Sequence, residues 1–371
     1  MNFDYSGEQQ MLLDSVLRYG LDNWSADKRL ACLKDLPSNV TKSWAEMADL
    51  GWLMLSIPEE EGGLGGTPVD VMALMEGIGR HLIPVPYVTS CVLVPALLSG
   101  TGETATEILE GIGLGNIRAA AGFLESEGGF DLNYVGLSAE LSDNRWLLSG
   151  EKVHVEDGGD ADWYVVSART AGSIMDSDGI SLFLISANSP GLKVENFRAV
   201  DGHTHSRLRL DNVNATLVGE KDQALMRIES AVDRAITAHV AEAVASMEMA
   251  NAVTLDYLGT RRQFGVSIGS FQVLQHRAVD MAIAAEEARS MMLHATLNLN
   301  ADPVTRKRAV SAAKTRVGQT GLYVAKQAVQ LHGGVGTCDE LIISHHLKRQ
   351  MMLDTAYGQA DYHRTRFANV S

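Results

Sequence analysis

Twelve residues in the last third of the chain could do chemistry together: Arg261-Arg262-Gln263-Phe264-Gly265-Val266-Ser267-Ile268-Gly269-Ser270-Phe271-Gln272. An arginine offers a rigid fork for phosphate oxygens, and an aromatic ring can lie on an adenine or a flavin. Arg261, Phe264 and Gln272 therefore suit a polyanionic, partly aromatic ligand. The same residues also read as a helix terminus with a surface arginine and a core phenylalanine, and spacing alone leaves both readings open. A second candidate is Gln330-Leu331-His332-Gly333-Gly334-Val335-Gly336. Paired glycines let a backbone approach a ligand closely and present N–H groups to it. They also form ordinary helix C-caps.

Other patterns carry less. Gly265-Val266-Ser267-Ile268-Gly269 has the GxSxG spelling of a nucleophile elbow, which needs a buried strand before it. The segment before it reads as helix, so Ser267 is not taken as a hydrolase nucleophile. Gly111-Ile112-Gly113-Leu114-Gly115-Asn116 falls short of a dinucleotide GxGxxG, with no strand before it. His345 and His346 are neighbours on a helix, splayed by about 100°, and make poor joint ligands. No metal site is expected.

The elements that must position these residues follow from periodicity. Residues 1–115 read as helical. Expected helices run over 43–55, stopped by Pro58, and over 69–80, with Pro68 in the first turn. A glycine patch at 111–115 closes this part. Over 116–225, short apolar runs (Trp146–Ser149, Trp163–Ser167, Ile180–Ile185) alternate with Gly, Asp, Asn and Ser. This texture predicts an antiparallel sandwich or barrel. Over 226–371 the pattern is helical again. Val232, Ile236, Val240, Val244 and Met247 form one stripe, and long segments follow at 272–299, 303–331 and 340–357. Four such helices bury their stripes by antiparallel packing. The expected fold is α+β and mostly α: an N-terminal helical domain, a middle antiparallel β domain and a C-terminal four-helix bundle.

The 371 residues are 46% hydrophobic, with a formal charge of -15 and a pI near 5.2. So acidic a chain argues against nucleic acid, which needs a broad basic face. Cys32, Cys91 and Cys338 are scattered, which fits reduced thiols in a cytoplasmic protein. Met1 to Tyr5 show no basic region leading into an apolar run, so no signal peptide is expected. No stretch of about 18 apolar residues predicts a membrane span.

Taken with two further stretches, Pro58-Glu59-Glu60-Glu61-Gly62-Gly63-Leu64-Gly65 and Ala356-Tyr357-Gly358-Gln359-Ala360-Asp361, the two sites make the whole chain resemble the acyl-CoA dehydrogenase family. Within that family it is similar to small subunits of pimeloyl-CoA dehydrogenase, through Thr254-Leu255-Asp256-Tyr257-Leu258 and Gln275-His276-Arg277-Ala278. The resemblance implies FAD bound across a subunit interface, usually in a dimer of dimers. It implies α,β-oxidation of an acyl-CoA to the trans-2-enoyl-CoA, with an electron-transferring flavoprotein taking the electrons. It assigns Arg261, Phe264, Gln272, Gln330, Gly333 and Gly334 to the ADP half of the neighbouring subunit's FAD.

The chain departs from the family where the flavin ring would lie. A Thr-Glu-Pro run followed by Gly-Ser-Asp is here Leu124-Glu125-Ser126-Glu127-Gly128-Gly129-Phe130-Asp131. Lys-x-Trp-Ile-Thr is here Lys152-Val153-His154-Val155-Glu156. A carboxylate beside an anionic reduced flavin is unfavourable unless protonated or paired. In the resemblance one position for the catalytic carboxylate holds Tyr357, and the other, early in the long helix, is nearest to Asp233-Arg234, offset by about two residues; Glu242 falls close to the opposite helix face and cannot share that role. The expectation is a small subunit of a heterotetramer that grips a partner's FAD. The rival is a self-sufficient homotetramer with Asp233 as base, and a serine hydrolase using Ser267 is a distant third.

Overall fold

The computed structural model describes residues 3–370; Met1, Asn2 and Ser371, which belong to the expected first and last domains, lie outside the described residues. Among the described residues six α-helices come first: α1 (Gly7–Trp24), α2 (Ala26–Lys34), α3 (Leu36–Asp49), α4 (Pro68–His81), α5 (Val94–Leu98) and α6 (Glu103–Gly113). Ser6 starts α1 with a capping box, its hydroxyl accepting from Gln9 N while the Gln9 side chain accepts from Ser6 N. The helix expected over 43–55 begins and ends earlier. Gly51 takes φ +75 after α3 and turns the chain into one tight turn at Trp52–Met54, so a glycine and not Pro58 ends it. The 111–115 patch is the end of α6, which runs through Gly111 and is closed by Gly115 at φ +75.

Seven strands follow: β1 (Ala119–Gly122), β2 (Ser138–Ser142), β3 (Arg145–Glu156), β4 (Trp163–Arg169), β5 (Ile180–Ser186), β6 (Leu192–Arg198) and β7 (Thr204–Val218). β5 pairs with both β7 and β4, so β4, β2, β3, β7 and β5 close into a ring, and β6 adds to β7 outside it. The sheet is not wholly antiparallel as expected: β1 runs parallel to β4, and β2 meets β4 in parallel at Ser138–Arg169. Leu148, Val155, Tyr164, Phe183, Ile185 and Leu208 pack the interior. The β3–β7 register slips between Lys152 and Val155, and His154 sits in that bulge at φ +52.

The rest is helical apart from a small hairpin: α7 (Leu225–Thr260), β8 (Arg262–Gln263), β9 (Val266–Ser267), α8 (Gln272–Leu297), α9 (Pro303–His332), α10 (Ile342–Thr355) and α11 (Ala360–Asn369). The expected stripe of α7 is buried, none of its five residues more than 4% exposed. Asp302 caps α9 by accepting from Val304 N and Thr305 N, with Pro303 in the first turn.

Two compact units result. One takes the chain up to Leu36, Pro68–Ile83 and everything from Ile236; the other takes Pro37–Thr67 and Pro84–Ala235. In the first, α4 approaches α7 so closely that a Cβ on Gly79 would lie 2.3 Å from the Glu242 carbonyl oxygen. In the second, Trp44 Nε1 donates to Gly115 O at 3.0 Å, and Thr89 Oγ1 donates to Asp157 Oδ2 at 2.8 Å. Among the described residues no helix is long and apolar enough to cross a membrane.

Candidate cofactor site

The last turn of α7 ends with Arg261 N donating to Tyr257 O at 2.8 Å. The chain then folds into the β8–β9 hairpin, where Arg262 pairs with Ser267. Its two turn residues, Phe264 at φ +51 and Gly265 at φ +82, are both left-handed, the pattern of a type I′ turn. Asn-Gly is the usual occupant; a phenylalanine held there costs about 1–3 kcal/mol. Phe264 is also 91% exposed, and its ring meets Phe271 edge-on at 6.2 Å. The reading of Phe264 as a core residue is thereby overturned. Arg261 and Gln272 are exposed as well. Ser267 ends β9 with helix α7, not a buried strand, leading into the hairpin, so no nucleophile elbow forms.

The second stretch caps α9. Gly333, at φ +66, donates its N–H to Gln330 O and starts a turn over Gly333–Thr337. Its three glycines differ in cause. Gly333 needs its positive φ. A Cβ on Gly336 would sit 2.6 Å from Val329 O. Gly334 has neither constraint: its φ is not left-handed, and a Cβ there would have nothing within 4 Å. The two stretches come together in one unit, because Tyr257 stacks on His332 with centroids 4.3 Å apart and planes 26° apart. Gln330 is exposed beside them. Exposed cations, an outward ring, an amide and an open glycine backbone in these two stretches are groups of the kind that the adenosine-diphosphate part of FAD takes.

The middle segment is organised around ions. Lys152 is fully buried, and its Nζ lies 2.6 Å from Glu125 Oε1 and 3.0 Å from Ser167 Oγ. Burial pulls the lysine pKa down and Glu125 holds it up, the first effect prevailing. Glu125 also accepts from Gly136 N and Leu137 N at 2.8 and 3.0 Å, fixing the loop that carries Phe130. His154 stands edge-on to Phe197 at 6.3 Å, and Phe197 stacks on His205 at 5.8 Å. Glu156 is buried. A half-exposed phenylalanine against His154, with a buried carboxyl two residues on, does not fit a flavin ring.

Of the acid–base candidates, Asp233 is fully buried on α7. Glu242 is committed elsewhere. Arg349 clamps it with Nε–Oε1 at 2.6 Å and Nη2–Oε2 at 2.8 Å, and His239 Nδ1 lies 3.4 Å from Oε2. Burial pushes this carboxyl up, but Arg349 and His239 outweigh it and bring it to about 2. Tyr357, at φ +54, faces His239 with ring centroids 6.0 Å apart. The adjacent histidines part company, His345 Nε2 lying 2.8 Å from Asp339 O and His346 Nδ1 lying 2.8 Å from Ser246 Oγ.

The Lys152–Glu125 pair, the Arg349 clamp and the Tyr257–His332 stack were not anticipated. Glu242 lies opposite the expected stripe of α7 at ~100° per residue, so its burial, and with it its need of a partner, carried no signal in the spacing. A partner 107 residues away leaves no local mark.

A helical start, a closed barrel and a helical C-terminal part have the architecture of a flavoprotein-type dehydrogenase. Family patterns agree along the chain: acyl-CoA dehydrogenase N-terminal domain over residues 6–115, middle domain over 120–213 and C-terminal domain over 226–371. The chain belongs to the acyl-CoA dehydrogenase family, whose members are FAD-dependent oxidoreductases. It is 25% identical to a probable acyl-CoA dehydrogenase, YngJ, of Bacillus subtilis, over 98% of each chain. Among solved structures, the Tcur3481-Tcur3483 steroid ACAD is 28% identical with a TM-score of 0.87, covering 98% of this chain and 97% of that one. Butyryl-CoA dehydrogenase from Megasphaera elsdenii shares the fold at 21% identity, with a TM-score of 0.88 over 99% of both chains.

Proposed function

We propose that this chain is the small subunit of a heterotetrameric acyl-CoA dehydrogenase and holds the ADP half of a partner subunit's FAD. The observation that carries the reading is Gly334, a glycine that neither its own φ nor its own neighbours require. Phe264 adds to it, an exposed ring kept in a left-handed turn. Arg261 supplies charge to the diphosphate, Phe264 a face for the adenine, Gln272 and Gln330 amides, and Gly333 and Gly334 backbone approach. FAD, when bound, would supply the acceptor for the hydride leaving the acyl-CoA β-carbon. In this chain Lys152 and Glu125 hold the middle loop, and Phe130, His154 and Glu156 stand where the family has its ring contacts. The ring and the base then belong to the larger subunit, and an electron-transferring flavoprotein takes up the electrons. The paired name of the steroid ACAD relative fits a two-gene assembly. A steroid side chain joins dicarboxyl and aromatic acyl groups as a substrate class.

A self-sufficient homotetramer with Asp233 as base is the second reading, favoured by that residue's complete burial on α7. The two separate on purification. The chain expressed alone is expected without stoichiometric flavin, and co-expressed with a longer acyl-CoA dehydrogenase from a neighbouring reading frame it is expected to form a yellow complex with turnover. Stoichiometric FAD and acyl-CoA oxidation by the chain alone would sink the heteromer. Esterase activity abolished by Ser267→Ala would revive the hydrolase.

A further inference from the structure

The two halves of the cradle sit on different elements. Arg261 and Phe264 hang from the end of α7, and Gly333 and Gly334 from the end of α9. A diphosphate that takes a guanidinium from one side and backbone N–H groups from the other needs those donors at a fixed separation. Tyr257 is the residue that can set it. Its carbonyl accepts from Arg261 N at 2.8 Å, and its ring lies on His332 at 4.3 Å. His332 is in turn next to Gly333, and its Nδ1 lies 2.8 Å from Ala328 O one turn back in α9, which fixes the plane of the imidazole. Arg277 on α8 reaches Gln327 on α9 by an exposed hydrogen bond, long at 3.4 Å, which is too weak to fix the spacing in water.

The imidazole is a poor choice for stability alone. His332 is 4% exposed, and its Nε2 has no hydrogen-bond partner among the described residues. A buried nitrogen without a partner disfavours the folded state. Leucine would fill the space without that penalty, but it would offer Tyr257 no flat, oriented face.

Resting on the reading of this surface as an ADP cradle, we propose that Tyr257 and His332 are positioning residues, a stacked pair that sets the separation of Arg261 from the Gly333–Gly334 turn. They need not touch the nucleotide. They act through the residues they carry, and the two act as one unit.

The test uses the full chain and ADP itself, by calorimetric or equilibrium-dialysis titration, with a melting curve for each variant. Tyr257→Phe keeps the ring and is expected to bind ADP within about twofold of wild type. Tyr257→Leu and His332→Leu remove the stack and are each expected to weaken ADP about tenfold, equivalent to about 1.4 kcal/mol. The double variant is expected to be no weaker than either single change, since both break the same pair. His332→Leu is expected to melt at or above the wild-type temperature, which a merely structural histidine would not do. Arg261→Ala serves as the direct-contact control. Loss of ADP in Arg261→Ala with wild-type affinity in both leucine variants overturns the positioning role and leaves the cradle standing. Additive losses in the double variant overturn the pairing. Failure of the wild-type chain to bind ADP, or an unchanged Arg261→Ala, removes the cradle and the inference with it.

Discussion

Glu242→Gln removes one charge from the bundle and almost nothing else. Glu242 and Arg349 are 2% and 6% exposed, so solvent does not screen the pair. Two hydrogen bonds of 2.6 and 2.8 Å join them. Burial by itself would raise the carboxyl, yet with Arg349 and His239 against it the group stands at about 2, down from 4.5. At 1.36 kcal/mol per unit, that is about 3 kcal/mol of stability at neutral pH, at the lower edge of the roughly 3–5 kcal/mol expected for breaking one side of a buried ion pair. The folded value is the depressed one, so the contribution is complete above 4.5 and is lost as pH falls toward about 2. Scanning calorimetry at neutral pH should show Glu242→Gln melting roughly 6–12 °C below wild type, taking about 2–4 °C per kcal/mol for a unit of this size. The gap should close on acidification through that window. An unchanged melting temperature at neutral pH, or a gap that persists below the window, would refute the argument. Either would mean that the desolvation cost cancels the attraction.

Further outcomes follow from other residues. Lys152→Met leaves Glu125 without its cation and the 123–137 loop without its anchor; a loss of about 3–5 kcal/mol should appear in denaturant midpoints of the barrel unit. Gly336→Ala, whose Cβ would meet Val329 O at 2.6 Å, should cost about 1–3 kcal/mol in thermal unfolding. Gly334→Ala should stay within about 0.5 kcal/mol of wild type while lowering the flavin content of the assembled enzyme. His346 is pulled from 6.5 to about 3, first by burial and then by Arg29, His345 and His81. A neutral buried imidazole loses stability as pH falls through that interval, by at most about 1.4 kcal/mol per unit. His346→Gln should flatten the melting temperature against pH just below 6.5.

The fold was legible because it is written in periods. The α7 stripe through Val232, Ile236, Val240, Val244 and Met247 is buried as its spacing requires, and the apolar runs at 146, 163 and 180 became strands β3, β4 and β5. Element ends were less legible: Pro58 looked like the stop for α3, but a left-handed glycine at 51 acts sooner. The parallel β1–β4 pair was invisible, because Ala119–Gly122 is too short and too bland to carry direction. At the candidate site, composition could not separate a core Phe264 from an exposed one. Only the hairpin does, by placing the ring at the tip of a turn. Long-range partners such as Arg349 for Glu242 and His332 for Tyr257 have no local signature at all.

What distinguishes this surface from a well-packed helix end is that several of its residues have no cause within the chain. Gly51, Gly115 and Gly336 are explained by left-handed turns or by backbone that would otherwise collide. Gly334 is not, and Phe264 works against its own turn. The Nε2 of His332 is a third cost, a buried acceptor with no donor among the described residues, kept with the ring that Tyr257 stacks on. Each is a small stability cost, and all three lie within the two stretches joined by the Tyr257–His332 stack. The middle domain shows the opposite pattern. Lys152, Glu125 and Arg169 are saturated with partners from this chain, Arg169 alone reaching the carbonyls of Asn133, Val135, Ile174, Asp176 and Asp178. A protomer that binds a whole cofactor by itself should carry such externally caused residues at both ends of the ligand. This one carries them in the two stretches around the Tyr257–His332 stack and satisfies its own ions around Lys152 and Arg169. The proposed grip on another chain's flavin rests on that asymmetry.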